Sequence, residues 1–501
     1  MFKYIKNVYN QCISIYKIKK QLQFIHNQLP YNTNINELIP AFQNLKKLIF
    51  SCGSIYIKLF QWYISKLKSN IIDDFKIIEK TNTNKFINYF EDIFENCPHH
   101  SLEHTQEIFK NSICNTNIED YVDITTLKVI ASGSIGQIYY ARRAIDNIEI
   151  AIKVKHPDIA QNLNNQLTII KLFKFAQSFK YIKNKFKLIF NIDDFLNDII
   201  QQCDFRIEAS NSIKFRENFS NSSKFIVIPE ILVISEHVLI SNYISGIPLE
   251  DLTKIQYHYV TLNFVCFFYQ MLFVDNFIHG DLHCKNWKVR ITESGNAQLI
   301  IYDCGICFSN INVEITKNFW FGIAKYDMNK ISDAISNFIT ISNVSELNIN
   351  INNEINNIFN NILKNSLSIS LLLKLIVQFF TLHNFMVHKF LINLSILICV
   401  IEEFLQKGDI INRENTNSTG VNMFELINDS QLDIIAFCDV NKCYPDVAKL
   451  FKKELDNKFI EYKTNIENNK INENNDITKC NIQPILFSTL SISNLKFISP
   501  E

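Results

Sequence analysis

Residues 278–286 read IHGDLHCKN, and residues 300–305 read IIYDCG. A His-x-Asp-x-x-x-x-Asn stretch followed by Asp-x-Gly carries the groups that phosphoryl transfer uses. Asp281 would orient an acceptor hydroxyl or water and take its proton. Asn286 and Asp303 would supply oxygen ligands from two separate segments. That donor set suits Mg2+ or Mn2+, which keeps its remaining positions for phosphate and water. His279 would support the loop backbone. Upstream, ASGSIGQ (131–137) is a small-residue turn that would let the backbone approach phosphates through Ala131, Ser132, Gly133, Ser134 and Gly136. Gly133 and Gly136 are able to take conformations closed to other residues. Lys153, in AIK on the following run, would reach the α- and β-phosphates of ATP or ADP. Glu208, in CDFRIEASN, would hold that lysine as its ion-pair partner. Each piece is common by itself in a chain rich in Ile, Asn, Lys and Phe. Their occurrence in the required order carries the argument.

The elements that position these groups follow from local patterning. Residues 1–125 read mostly as helix, with few Gly or Pro. Residues 126–155 change to short β-like runs around the Gly/Ser turn. Residues 158–222 return to helical pattern, and 225–249 are strand-like, punctuated by Pro229, Gly246 and Pro248. From 251 onward helices dominate, apart from short strands around 287–303. The uncharged run Ile255–Val274 has the length of a membrane span. Gln256, His258, Asn263 and Gln270 interrupt it, and it leads directly into the catalytic-type loop, so a buried helix is expected. Residues Leu371–Val400, broken by Lys374, His388 and Lys389, read as core helices. Residues 411–420 and 464–476 are polar, low in complexity and read as loops or disorder.

Bulk properties exclude some functions. Lys+Arg and Asp+Glu both total 50, and this balance argues against a general nucleic-acid binder. The 13 cysteines lack regular spacing, and no secretory signal is visible, so free thiols in a reducing intracellular compartment are expected. Lys3, Lys6, Lys17, Lys19 and Lys20 precede the first acidic residue, Glu37, which is compatible with organelle targeting. Two Cys/His groups carry a minor zinc reading: Cys97, His99, His100 and His104 in CPHHSLEH, and Cys304-x-x-Cys307 with Cys438 and Cys443. A polar helix start and an inward-packed turn residue are the expected alternatives.

The motifs and their surroundings resemble the UbiB-type, or aarF-domain, atypical kinases. VIASGSIGQIYYAR resembles their Ala-rich loop, AIKVKHPDI their strand lysine segment, and DFRIEASNSIKFRENF their glutamate helix. IPEI, VLISNYISGIPL, FIHGDLHCKN and LIIYDCG follow in the family's order, and GSIYIKLFQW (53–62) is similar to its Lys-x-Gly-Gln signature. The likeness runs over roughly 40–410. It implies an α+β, two-lobed protein-kinase-like fold with a helical N-terminal extension and helices inserted in the N-lobe. Segments of 1–39 (basic, targeting), 40–125 (extension), 126–245 (N-lobe), 246–410 (C-lobe) and 411–501 (C-terminal helices) are expected.

By this resemblance, Lys58 and Gln61 lie over the nucleotide site on an extension thought to block a protein-substrate channel. The resemblance also implies binding of adenine nucleotide with Mg2+, and support of isoprenoid quinone metabolism in mitochondria, plastids or bacteria. Four positions depart from the pattern: Phe60 replaces a Gly, Gln202 a Glu (Asp204 remains), Gly133 an Ala and Cys304 a Phe. The loss of charge at Gln202 bears on its contact with the Lys58 region. No Ala-Pro-Glu signature follows Asp303, which favours a lipid-related or small-molecule acceptor, or ATP hydrolysis. A nucleotide-binding pseudokinase scaffold and a membrane-surface lipid carrier are the rival readings.

Overall fold

A computed structural model describes residues 2–29, 35–68, 80–157, 159, and 192–337 apart from scattered positions. It also describes 339–340, 386–387, 389–412, 444–450 and single positions between 373 and 379. Cys438, Cys443 and the polar segments 413–420 and 464–476 lie outside the described residues, as does most of 371–388.

The first helices form a layer with its own core. Helix α1 (Phe2–Gln28) leads to α2 (Ile39–Cys52), α3 (Ser54–Lys68) and α4 (Lys80–Phe90). Phe42, Leu45, Ile49, Ile57, Phe60, Ile64, Phe86 and Phe90 are buried together. Gly53, at φ 96°, ends α2 in a backbone conformation that a side chain would strain, and so allows the chain to turn into α3. Phe60 fills this core edge-on against Phe90 at 5.0 Å, so the departure from glycine is absorbed by aromatic packing. The opposite face of α3 is also apolar. Ile55, Leu59 and Trp62 pack on Ile135, Leu196, Ile199 and Phe205, which docks the extension on the sheet lobe.

That lobe begins with α5 (Leu102–Ser112), followed by strands β1 (Val122–Ser132), β2 (Gly136–Arg143) and β3 (Glu149–Lys155). Helices α6 (Ile192–Gln202) and α7 (Phe205–Asn218) are inserted before β4 (Ile226–Val227), β5 (Ile231–Ile234) and β6 (Val238–Asn242). The five-stranded sheet has the order β1-β2-β3-β6-β5. Side chains alternate along a strand. In β3, Ile150, Ile152 and Val154 therefore join the core against Phe109 and Tyr139, while Lys153 points to the other face. Its neighbours across the ladder are Ile138 and Leu239, which place it in the middle of the sheet.

The second lobe is built on α8 (Lys254–Tyr269). A capping box of Thr253 and Gln256 starts this helix, and a π-helical turn, Gln270–Val274, ends it. Phe264, Phe267, Phe268, Tyr269 and Met271 are buried among Trp287, Trp320, Leu397 and Phe404. The Tyr257 hydroxyl donates to the Phe404 carbonyl at 2.6 Å. The uncharged run thus faces protein on its described sides. Among the described residues no helix is long and apolar enough to cross a membrane. Beyond it, β7 (Ile278–His279) pairs with β10 (Cys307–Phe308), and β8 (Trp287–Ile291) pairs with β9 (Ala297–Ile301). The result is the α+β, two-lobed kinase-like fold with a helical extension and inserted helices that the resemblance implies.

Neither Gly133 nor Gly136 has φ in the left-handed region, so the loop does not draw on that freedom of glycine. Gly136 is needed for close approach instead, because a Cβ there would lie 2.8 Å from the Val154 carbonyl oxygen. A Cβ on Gly133 would meet its nearest atoms at 3.7 Å, an ordinary contact. Gly136→Ala is therefore expected to destabilise the fold by about 1–3 kcal/mol through overpacking. Gly133→Ala should be neutral or stabilising by up to about 1 kcal/mol, through a more restricted unfolded chain. Denaturant unfolding at constant m-value measures both; equal midpoints for Gly136→Ala and the wild type would contradict this account.

Candidate active site

Three elements converge on the cleft between the lobes. Strand β3 presents Lys153, α7 presents Glu208, and the turn after β9 presents Asp303. Asp204 caps α7, accepting from the Arg206 backbone N–H, which puts Glu208 in the first turn of the helix. Lys153 Nζ donates to both Glu208 oxygens, at 2.9 and 2.7 Å, and lies 3.4 Å from Asp303 Oδ2. The Glu208 side chain is 7% exposed and that of Asp303 is 44% exposed, so Asp303 is the carboxylate open to the cleft.

One cation shared by two carboxylates cannot neutralise both. Burial pushes Glu208 up to about 7, with Asp303 adding to the effect against the pull of Lys153. Burial also acts on Asp303, but Lys153 and Lys58 outweigh it and hold its carboxyl well below the usual range. Lys153 stays charged: Asp303 and Glu208 raise its pKa against the cost of burial.

Asp303 has φ 49°, a left-handed backbone that is uncommon outside glycine. Its Oδ1 accepts from the Gly305 N–H at 3.3 Å, closing the turn. Cys304 packs inward, 1% exposed, and its carbonyl accepts from Asn211 Nδ2 at 2.8 Å. The turn is also braced to the catalytic-type loop, since the Gly280 N–H donates to the Ile306 carbonyl at 2.8 Å. His279 is fully buried. Its Nε2 donates to the Tyr302 carbonyl at 3.1 Å, and its Nδ1 accepts from the Asp281 N–H at 3.2 Å. Burial lowers its pKa, consistent with a neutral ring in that bonding pattern. Asn286 is likewise held in place, its Nδ2 donating to the Asp281 carbonyl at 2.7 Å.

Lys58 of the extension reaches into this loop and donates to Asp281 Oδ2 at 2.8 Å. Burial opposes ionisation of Asp281, but Lys58 prevails and keeps its carboxyl below the usual range. Gln61, one helical turn on, bridges the extension and the nucleotide-type loop: its Nε2 donates to the Ile93 carbonyl at 2.9 Å, and its Oε1 accepts from Ser134 Oγ at 3.2 Å. Gln202 does not join Lys58; its amide donates to the Asp198 carbonyl of its own helix at 3.2 Å.

Sequence reasoning missed several members of the site. His283 stacks on Phe94 with ring centroids 4.6 Å apart, and Lys285 pairs with Glu95 at 3.1 Å. The segment 95–97 bonds along Ser132, whose N–H donates to the Glu95 carbonyl at 2.7 Å while the Cys97 N–H donates to the Ser132 carbonyl at 2.7 Å. No motif marks these contacts, because they join segments distant in sequence.

Among the described residues no group of three His, Cys, Asp or Glu could hold a metal ion, which tells against the zinc reading of CPHHSLEH; the reading that joins Cys304 and Cys307 to Cys438 and Cys443 falls partly outside the described residues. The Cys97 thiol donates to the Ile93 carbonyl, His104 to the Lys155 carbonyl, and the Cys307 thiol to the Cys304 carbonyl. Ser101 caps α5, so CPHHSLEH is a polar helix start.

The ABC1 atypical kinase-like domain matches residues 92–335, a narrower span than the likeness read from the sequence. A probable serine/threonine-protein kinase abkC of Dictyostelium discoideum is 29% identical over 266 residues, covering 52% of this chain and 36% of that protein. A probable protein kinase UbiB of Tolumonas auensis is 31% identical over 186 residues, covering 35% of this chain and 34% of that protein. The chain therefore spans about a third of the length of these curated relatives. Among solved structures, the erythromycin complex of Rv3197 from Mycobacterium tuberculosis is similar with a TM-score of 0.40 and 14% identity, over 62% of this chain and 83% of that one. The domain match lies across both lobes and the elements that carry Lys153, Glu208, Asp281 and Asp303, and with the UbiB relatives it supports a UbiB/ABC1-type atypical kinase-like family for the chain.

Proposed function

We propose that this protein binds an adenine nucleotide with Mg2+ or Mn2+ in the cleft and acts as an atypical kinase or ATPase. The observation that carries this reading is the charge balance of the site. Glu208, Asp303 and Asp281 face Lys153 and Lys58, so carboxylates exceed ammonium groups by one. That excess fits a divalent cation, whose charge would offset the surplus carboxylate and part of the charge on the nucleotide phosphates. Asp303, the exposed carboxylate, and the Asn286 amide oxygen would hold the ion. Lys153 would hold the phosphates, with Ala131, Ser132, Gly133, Ser134 and Gly136 lining them. A bound ion would supply charge neutralisation at the transferred phosphoryl group. Asp281 would orient the acceptor and take its proton once Lys58 releases it. A lipid-related or small-molecule acceptor, a role in isoprenoid quinone metabolism, and a mitochondrial or membrane-associated location rest on family resemblance alone.

The Lys58–Asp281 ion pair favours a second reading, a nucleotide-binding pseudokinase scaffold. As placed, that pair occupies the carboxylate that turnover requires.

Two experiments separate these readings. Asp303→Asn is expected to abolish Mg2+-dependent thermal stabilisation by ATP or ADP. In the wild type that stabilisation should be about 2.7 kcal/mol at 100 times Kd. Asp281→Asn should keep the stabilisation and lose phosphate release. A wild type that gains no stability from any adenine nucleotide with Mg2+ or Mn2+ would sink the nucleotide reading.

Lys58→Ala should free Asp281 and raise phosphate release about tenfold, the scale of one charge-assisted hydrogen bond. Background-level release from the wild type and Lys58→Ala alike, with nucleotide binding intact, would decide for the scaffold.

A further inference from the structure

We propose that His156 is a positioning residue for the nucleotide loop, acting through the Gly133 carbonyl, and that His100 fixes the tautomer in which it does so. This inference rests on the reading of 131–137 as a nucleotide-binding loop. His156 immediately follows β3 and is 6% exposed. Its Nε2 lies 3.0 Å from the Gly133 carbonyl oxygen and 3.4 Å from Ser132 Oγ. Its Nδ1 lies 2.8 Å from Nδ1 of His100, and the two rings meet edge to face.

The direction of each proton follows from the chemistry of the partners. A carbonyl oxygen only accepts, so His156 carries its proton on Nε2. With the ring neutral, His156 Nδ1 accepts from His100 Nδ1–H. His100 Nε2 then has the lone pair and accepts from the Thr105 hydroxyl at 2.9 Å. Thr105 accepts from the Tyr139 hydroxyl at 2.6 Å, and Tyr139 accepts from the Gln137 amide at 2.6 Å. The Gln137 oxygen accepts from the His100 backbone N–H at 3.0 Å and closes the circuit. Thr105, Gln137 and Tyr139 are 0%, 1% and 3% exposed, so water does not readily replace any of these partners. One orientation satisfies each bond of this circuit with both rings neutral, the Thr105 proton going to His100 at 2.9 Å rather than to the Ser101 carbonyl at 3.5 Å, and the circuit ends in the donor aimed at Gly133.

That donor has work to do at a glycine in this loop. Without a Cβ, Gly133 has a wider range of φ and ψ open to it, so the backbone alone directs its carbonyl less firmly. Turned over, its carbonyl would no longer be held by His156, and its lone pairs could face phosphate oxygens and repel them. The bond to His156 holds the carbonyl against the protein and so fixes the loop in one arrangement before nucleotide arrives, which lowers the ordering cost of binding.

The test uses the full chain and Mg–ADP. His156→Leu removes the donor. His156→Gln keeps an amide N–H at the reach of Nε2. The Leu variant is expected to bind Mg–ADP about tenfold more weakly, and the Gln variant within about threefold of wild type, the scale of one neutral hydrogen bond. Independently of nucleotide, 15N spectra of histidine-labelled wild type should show opposite tautomers, with His156 protonated on Nε2 and His100 on Nδ1. Three results overturn the proposal: wild-type affinity in His156→Leu, no rescue by His156→Gln, or the same tautomer in both rings. Failure of the wild type to bind Mg–ADP would bring down the nucleotide reading and this role with it, a result distinct from wild-type binding that His156→Leu leaves unchanged.

Discussion

The site is organised by one electrostatic constraint: Lys153 serves two carboxylates. Its ammonium lies within hydrogen-bond reach of Glu208 and at 3.4 Å from Asp303. Burying a charge without a partner is expensive, and burying one cation against two anions leaves part of that cost unmet. The fold resolves this by unequal exposure. Glu208, in the first turn of α7, is buried and has its pKa raised, while Asp303 stays open to the cleft and ionised. The residual negative charge is thereby directed toward solvent, where a cation can approach. Lys58 adds a second positive charge from the extension and holds Asp281 ionised as well.

How much of this could be read from the sequence follows the distance over which each interaction acts. Asp281, Asn286 and Asp303 were legible because short spacing defines the loop and turn that carry them. Lys153 was legible through strand alternation, with Ile150, Ile152 and Val154 buried on the other face. Glu208 lies 55 residues from Lys153 and was a candidate as an acidic residue in a helical stretch between the strand lysine and the loop, a choice its resemblance to a family segment strengthened. The Lys58–Asp281 pair spans 223 residues; resemblance put Lys58 over the site but did not name its partner. His156 and His100 are 56 apart, and nothing in the types or spacing of AIKVKHPDI and CPHHSLEH relates them. Residue type alone did not fix the backbone at Gly133. Glycine permits left-handed φ but does not require it, and this loop does not use it. The uncharged run Ile255–Val274 was ambiguous for a related reason. A helix buried among aromatic rings and a helix in lipid select the same side chains, and only the polar interruptions and the following loop separate them.

The nucleotide-type loop is held from behind at nearly every residue. Ser132 pairs through its backbone with 95 and 97, Gly133 is bonded to His156, and Ser134 to Gln61. The extension supplies Gln61 and the 95–97 segment, so the loop belongs structurally to the extension as much as to the sheet. This coupling explains why α3 needs two apolar faces. One face, through Ile57, Phe60 and Ile64, builds the extension's core; the other, through Ile55, Leu59 and Trp62, docks that core on the lobe. Lys58 projects between these faces.

The two kinds of contact between extension and catalytic-type loop differ in what breaks them. Lys58 sits on a four-carbon stem, and its ammonium can leave Asp281 by rotation of side-chain bonds while α3 stays docked. The Phe94–His283 stack and the Lys285–Glu95 pair flank the same loop, and they are carried by the short turn that also anchors Gln61. Separating them along with the 95–97 pairing would disturb the nucleotide-type loop itself. Under the proposed function, an acceptor small enough to displace only the Lys58 ammonium could reach Asp281 at the cost of one exchanged ion pair. A folded or extended protein segment would have to lift the turn and lose the loop's backing at the moment nucleotide must be held. The same contacts that order the loop thus select against bulky acceptors, which is a physical reason to favour small-molecule or lipid-related chemistry beside the missing Ala-Pro-Glu signature.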